Sequence, residues 1–217
     1  MSKVAIVGDA SGTGTFTISA PNGNTDRTLV LTDEAGTIIT TAGVPASAMP
    51  AGSVLQVQQV SSGTRVSTSN TYPTWAEPST GYRVSITPQR SNSMVKLQYY
   101  IPINQSSAAN ILTVVRAFRI INGGSKSYAL TSAGSANGTR NAVAGGVFRP
   151  GNGYDSNDMN MVTFTAIDFP ATTLSCVYGF EMVPEGTATV RFGYSGVDTP
   201  SWGWDADIVI TATEVAQ

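Results

Sequence analysis

The sequence predicts an all-β fold: an antiparallel, jelly-roll-like sandwich of about eight to ten strands, preceded by a short extended β-arm. Three observations carry this reading. Apolar and polar residues alternate with period two in one segment after another. Gly, Pro, Asn or Asp bound each segment, as tight turns require. After about residue 50 no stretch shows convincing helical spacing of its apolar residues.

With 217 residues and 41% hydrophobic content, the chain has enough apolar material for a core. Charged residues make up only 12%, about half the roughly 25% typical of soluble domains. Ser, Thr, Asn, Gln and Gly must therefore cover most of the surface, which suits a protein working outside a cell. The net charge is -2 and Lys and Arg are scattered, so no basic footprint for nucleic acid is present. No apolar run approaches the roughly 20 residues that span a bilayer. The opening run from Met1 reaches Asp9 too soon for a signal-peptide core, so synthesis and folding in a cytoplasm are expected.

Residues 1–45 read as an attachment or trimerisation arm, and 46–217 as the β-domain. In the arm, short apolar runs (Val4–Val7, Phe16–Ala20, Leu29–Leu31, Thr37–Thr40) alternate with Gly- and Asn-rich turns. A segment of about 40 residues does not bury enough surface to fold alone. Lacking cysteines and metal ligands, it needs oligomerisation or docking on another protein. Phe16, Ile18, Leu29, Leu31 and Ile38 are the apolar residues placed to make that contact. The run from Val4 to Gly14 imitates a dinucleotide-binding glycine loop. The alternating, Pro-terminated Thr15–Pro21 follows it, where that mechanism requires a helix N-terminus. Thr41–Ala48 is a linker.

The β-domain opens at Met49-Pro50-Ala51-Gly52 with a first strand that sets Leu55 and Val57 on one face and Gln56 and Gln58 on the other. Tyr82, Val84 and Ile86 mark the next strand. Val95, Leu97, Tyr99 and Ile101 mark another, expected to stop at Pro102. Ile111–Ile121 is apolar on both faces and rich in β-branched residues, and Asn122-Gly123-Gly124 ends it like a hairpin turn. It reads as a central strand covered on both sides, with a second subunit as the candidate cover. Ser125–Asn160 reads as a long loop anchored at Ala129-Leu130 and Val147-Phe148. Strand patterning resumes at Val162–Ala166, Cys176–Met182, Val190–Tyr194 and Ile208–Ala212.

The chain has no histidine, which removes Ser-His-Asp and Cys-His catalysis and most zinc sites. Cys176, the sole cysteine, reads as a buried small hydrophobe. Glu181, Glu185, Asp198, Asp205 and Asp207 lie near strand ends, yet no spacing selects two of them as a glycosidase pair. No catalytic residue, cofactor or metal is assigned. The oxygen-rich Asn152–Asn160 loop, with Tyr154 and Asp155, could contact a cation but reads first as a polar turn. Trp202 and Trp204 fall on one side of an extended segment, where core or interface packing weighs more than contact with a glycan. Trp75 poses the same choice.

Gly12–Pro21, Arg27–Leu31 and Gly36–Thr40 resemble the arm of tailed-phage tail-fibre and virion structural proteins. Ala51–Val57, Ser85–Pro88 and Ser93–Leu97 are similar to the opening of a β-domain in phage structural proteins. The resemblance implies a homotrimeric jelly roll with a TNF-like head and no catalytic residues. The implied partners are its own copies, other virion proteins of tail or capsid, and a host surface glycan or protein. The implied place is the virion, assembled in the host cytoplasm. A long fibre would carry a large anchoring domain and a shaft, which this sequence lacks, so a short fibre, a tail tip or a capsid decoration remain the alternatives.

Overall fold

In the computed structural model the described residues are 12–13, 44–105, 111–128, 130, 145–149, 158–196 and 205–217. The chain divides into two units, Met1–Ile39 and Thr40–Gln217, and all described residues but Gly12 and Thr13 belong to the second. That unit contains β1 (Val54–Ser62), β2 (Val66–Thr68), β3 (Val84–Ile86), β4 (Met94–Gln105) and β5 (Thr113–Ile121). They are followed by β6 (Gly145–Phe148), β7 (Asn160–Asp168), β8 (Cys176–Pro184), β9 (Val190–Phe192) and β10 (Ile208–Val215). Two 3-10 turns, Ala46–Ala48 and Thr80–Tyr82, are the helical elements among the described residues.

All strand pairings are antiparallel. One sheet runs β1-β10-β4-β9-β2, with β7 along the other side of β4; the second runs β3-β8-β5-β6. β9 and β10 are two pieces of one line beside β4, since β10 pairs with Met94–Tyr100 and β9 with Ile103–Gln105. β1 and β2 form a similarly interrupted line beside them. The two sheets pack face to face as a sandwich.

Period two fills the space between them. Val95, Leu97, Tyr99, Ile101 and Ile103 of β4 meet Cys176, Tyr178, Phe180 and Met182 of β8 in one buried cluster with Ile208, Ile210 and Ala212. The expected inward rows of β4, β8 and β10 therefore point inward, and Cys176 is buried as expected. Tyr82 stacks on Phe180 with ring centroids 5.9 Å apart, and Tyr99 on Phe164 at 4.4 Å.

Three expectations need correction. In β1 the residue alternation shifts at an irregularity between Val54 and Gln56. Val60 packs on the core, Gln56 bonds to the buried Glu214, and Val57 is 54% exposed. β4 does not stop at Pro102 but continues to Gln105. The Pro102 carbonyl accepts from the Gly193 N–H at 3.1 Å, so its donor-less nitrogen faces the same side, where β9 and β10 are interrupted. The outer face of β5, for which a second subunit was the candidate cover, is covered around Arg116 and Phe118 by the chain itself. Trp75, Arg83, Lys126 and Tyr128 lie over Arg116 and Phe118.

Register gives the sandwich two distinct ends. Val54, Val215, Met94 and Asp168 share one end, as do Ile86, Cys176 and Ile121. Thr68, Gln105, Asn160, Thr113, Phe148 and Pro184 lie at the other.

Candidate functional site

The residues singled out from the sequence for contact, Trp202, Trp204, Tyr154 and Asp155, lie outside the described residues, as do Phe16, Ile18, Leu29, Leu31 and Ile38 of the arm. The described structure shows where the flanks of these segments are rooted. It also reveals a charged and aromatic cluster that the sequence reading did not assemble.

That cluster lies on the outer face of the second sheet. Register sets Arg116 of β5 opposite Glu181 of β8, and Phe118 opposite Gly179. A Cβ at Gly179 would stand 2.6 Å from the Phe118 Cζ, so the glycine leaves room for the ring to lie across the strand. Residues 72–76 run as a strap beside β8: Tyr72 N–H donates to the Pro184 carbonyl at 3.0 Å, and Ala76 and Met182 exchange backbone bonds of 3.0 and 2.9 Å, so that Trp75 and Glu77 reach over the outer face. From the other side, Asn122 and Gly123 take positive φ angles of 47° and 72°, as a two-residue hairpin turn requires. The returning chain pairs Ser127 with Arg119 and sets Lys126 and Tyr128 on the same face.

The result is an alternating ladder, Arg83–Glu77–Lys126–Glu181–Arg116. Arg83 donates twice to Glu77, at 2.6 and 2.7 Å. Lys126 bridges Glu77 at 2.8 Å and Glu181 at 2.7 Å. Glu181 also accepts from Arg116 at 2.8 Å and from the Tyr128 hydroxyl at 3.0 Å. The Arg116 guanidinium lies between two rings, 3.9 Å from the centroid of Trp75 and 3.8 Å from that of Tyr128.

Burial alone would raise the carboxyl pKa values of Glu77 and Glu181, but hydrogen bonds from their cationic partners, joined at Glu181 by the Tyr128 hydroxyl, outweigh it and hold both below the usual range. Burial likewise disfavours the Lys126 charge, yet its two carboxylates raise its pKa. Glu181, considered from the sequence as half of a hydrolytic pair, is thus the hub of an ion-pair network. Of the other candidate acids, Asp198 lies outside the described residues, and the remaining three have partners. Asp205 pairs with Arg65, Asp207 accepts from Ser61 at 2.6 Å, and Glu185 lies 4.0 Å from Arg149. Trp75 belongs to the strap, packed on Arg116.

Three further arrangements hold the segments that leave the sandwich. At the entry end, Arg90 donates to the carbonyls of Ala46 and Met49, the latter at 2.7 Å, clasping the linker. Glu214, fully buried, accepts there from Ser93 at 2.6 Å, from the Gln89 N–H at 2.7 Å and from Gln56 at 2.6 Å. At the opposite end the buried Asn104 donates to the Asp158 carbonyl at 2.5 Å and accepts from Arg191 at 2.8 Å. Gln105 beside it donates to the Ile111 carbonyl at 3.3 Å. Between β9 and β10, Tyr194 pairs with Asp205 and Arg65 lies 5.8 Å from the Tyr194 ring centroid, closing the root of the segment that carries Trp202 and Trp204.

Pairing register determines these clusters, and one weak signal in the sequence pointed to them. Arg116 and Arg119 interrupt an otherwise apolar strand, which is unusual unless partners meet them. No protein-family model and no curated protein matches this chain.

Proposed function

We propose that this chain is a non-enzymatic structural protein of a tailed-phage virion. In this reading it forms a homotrimeric tail fibre or short appendage, attached through its N-terminal arm and presenting its β-domain to a host surface glycan or protein. The observation that carries the reading is the polarity of the sandwich. The linker leads into Val54 at one end, while the segments rooted at Gln105, Phe148 and Asn160 leave from the other. In this reading the linker end attaches and the opposite end presents.

The strand order supports the jelly-roll form of the reading. Counting β1 with β2, and β9 with β10, as single interrupted strands leaves eight, ordered first-eighth-third-sixth in one sheet and second-seventh-fourth-fifth in the other. Trimerisation rests on the arm, whose composition needs a partner; the outer face of β5 no longer argues for it.

Gold-labelled antibody on intact phage particles tests the reading by electron microscopy. Label on the tail is expected. Label across the head would make the chain a capsid decoration or cement protein instead, and particles without label would remove both virion readings.

A further inference from the structure

We propose that β1 is a contact strand through which two copies of this chain join edge to edge, antiparallel, into one continuous sheet. Two observations set β1 apart. First, its edge is open: it pairs with β10 along one side, and among the described residues no backbone group bonds to its other side. The Gln89 amide reaches the Leu55 carbonyl at 3.4 Å, and among the described residues no backbone group bonds to the outer edge of Val57–Ser62. Second, the nine-residue strand contains no charge, proline or glycine, the devices that ordinarily keep exposed edges from pairing.

Three of the other edges among the described residues are short: β2 and β3 have three residues each and β6 has four. β7 has nine residues but carries a charge, Asp168, at its end, and its side chains pack on β6, where a Cβ on Gly146 would stand 2.6 Å from Val162. In β1, Val57, Gln58 and Gln59 are exposed in succession, so both of its faces are open at the edge.

The chemistry of the edge favours a second copy as its occupant. A two-fold axis at Gln59 sets that residue opposite itself, Gln58 opposite Val60 and Val57 opposite Ser61. Each glutamine amide both donates and accepts, so the glutamines complement each other. No like charges meet across the pair, because the strand has none. The Asp207 carboxylates, each held by Ser61 at 2.6 Å, fall at opposite ends of the paired segment.

The inference is independent of trimerisation through the arm, and one set of measurements on the full-length chain separates the two. Cys176 is fully buried, so a Gln59→Cys variant adds one accessible thiol. Mild oxidation should link it into dimers, whereas Thr163→Cys on β7 should remain unlinked. Mass by light scattering should give six copies of the 22.6 kDa chain if both contacts form, and three once Gln59→Lys charges the edge. Three copies in the unmodified protein, with no Gln59→Cys cross-link, would overturn the β1 contact and leave the trimer. Two copies that dissociate in Gln59→Lys would support β1 and remove the trimer, and a monomer would remove both.

Discussion

Arg119 and Asp168 meet across the sandwich: the Nη1 of Arg119, on β5 of the second sheet, lies 2.7 and 2.8 Å from the two carboxylate oxygens of Asp168, at the end of β7 in the first. The Tyr178 hydroxyl donates to the same carboxylate at 2.8 Å. Burial disfavours the Arg119 charge, but Asp168 raises its pKa above the ordinary value. The Asp168 side chain is only 2% exposed, so the tether is an ion pair within the protein.

Removing one member of such a pair strands the other. Asp168→Ala should destabilise the fold by about 3–5 kcal/mol, as for other broken buried pairs. Urea denaturation would measure this, and a joint Arg119→Met, Asp168→Leu replacement should recover most of the loss. If the single variant cost no more than an exposed substitution, the tether would have no energetic role.

Glu181→Gln tests the outer ladder. The variant keeps the shape but removes the charge that Lys126 and Arg116 share, at a cost on the order of 2–3 kcal/mol, below that of a fully buried pair. The loss should be local. Hydrogen exchange should quicken at Ala76 and Tyr72, whose amides bond to β8, and stay slow at the centre of β4.

Acid should weaken the same ladder. The folded-state pKa values of Glu77 and Glu181 lie below the ordinary glutamate value of 4.5, so their contribution is fully present above about that pH and is lost as pH falls through the lowered values. Thermal midpoints should decline below about pH 4.5, the ordinary glutamate value, and the decline should be shallower in a Glu77→Gln, Glu181→Gln double variant. Equal slopes in the two proteins would assign acid sensitivity elsewhere.

Gly179→Ala should be costly although it adds a single methyl group. Its Cβ would stand 2.6 Å from the Phe118 Cζ, and forcing the ring aside should cost about 1–3 kcal/mol. Trimming the ring with Phe118→Leu should restore much of the loss when the two changes are combined. A melting temperature unchanged by Gly179→Ala alone would contradict the packing.

The all-β class, the inward rows of β4, β8 and β10, the Asn122-Gly123 turn and the burial of Cys176 were legible in the sequence. Period two and turn chemistry are local properties that a chain carries in its residue order. Pro102 misled because a proline normally marks a strand boundary. Only its neighbours show that its nitrogen faces an interruption, where no donor is needed. Likewise, the two apolar faces of β5 were plain, but not what covers the second one. Glu77, Arg83, Lys126, Glu181 and Arg116 come from four separate stretches of chain, and their meeting depends on which strands pair and in what register. The residue order thus determined the elements and the faces they bury. The tertiary structure alone decided the partners, because ion pairs and covering straps form between residues distant in the chain.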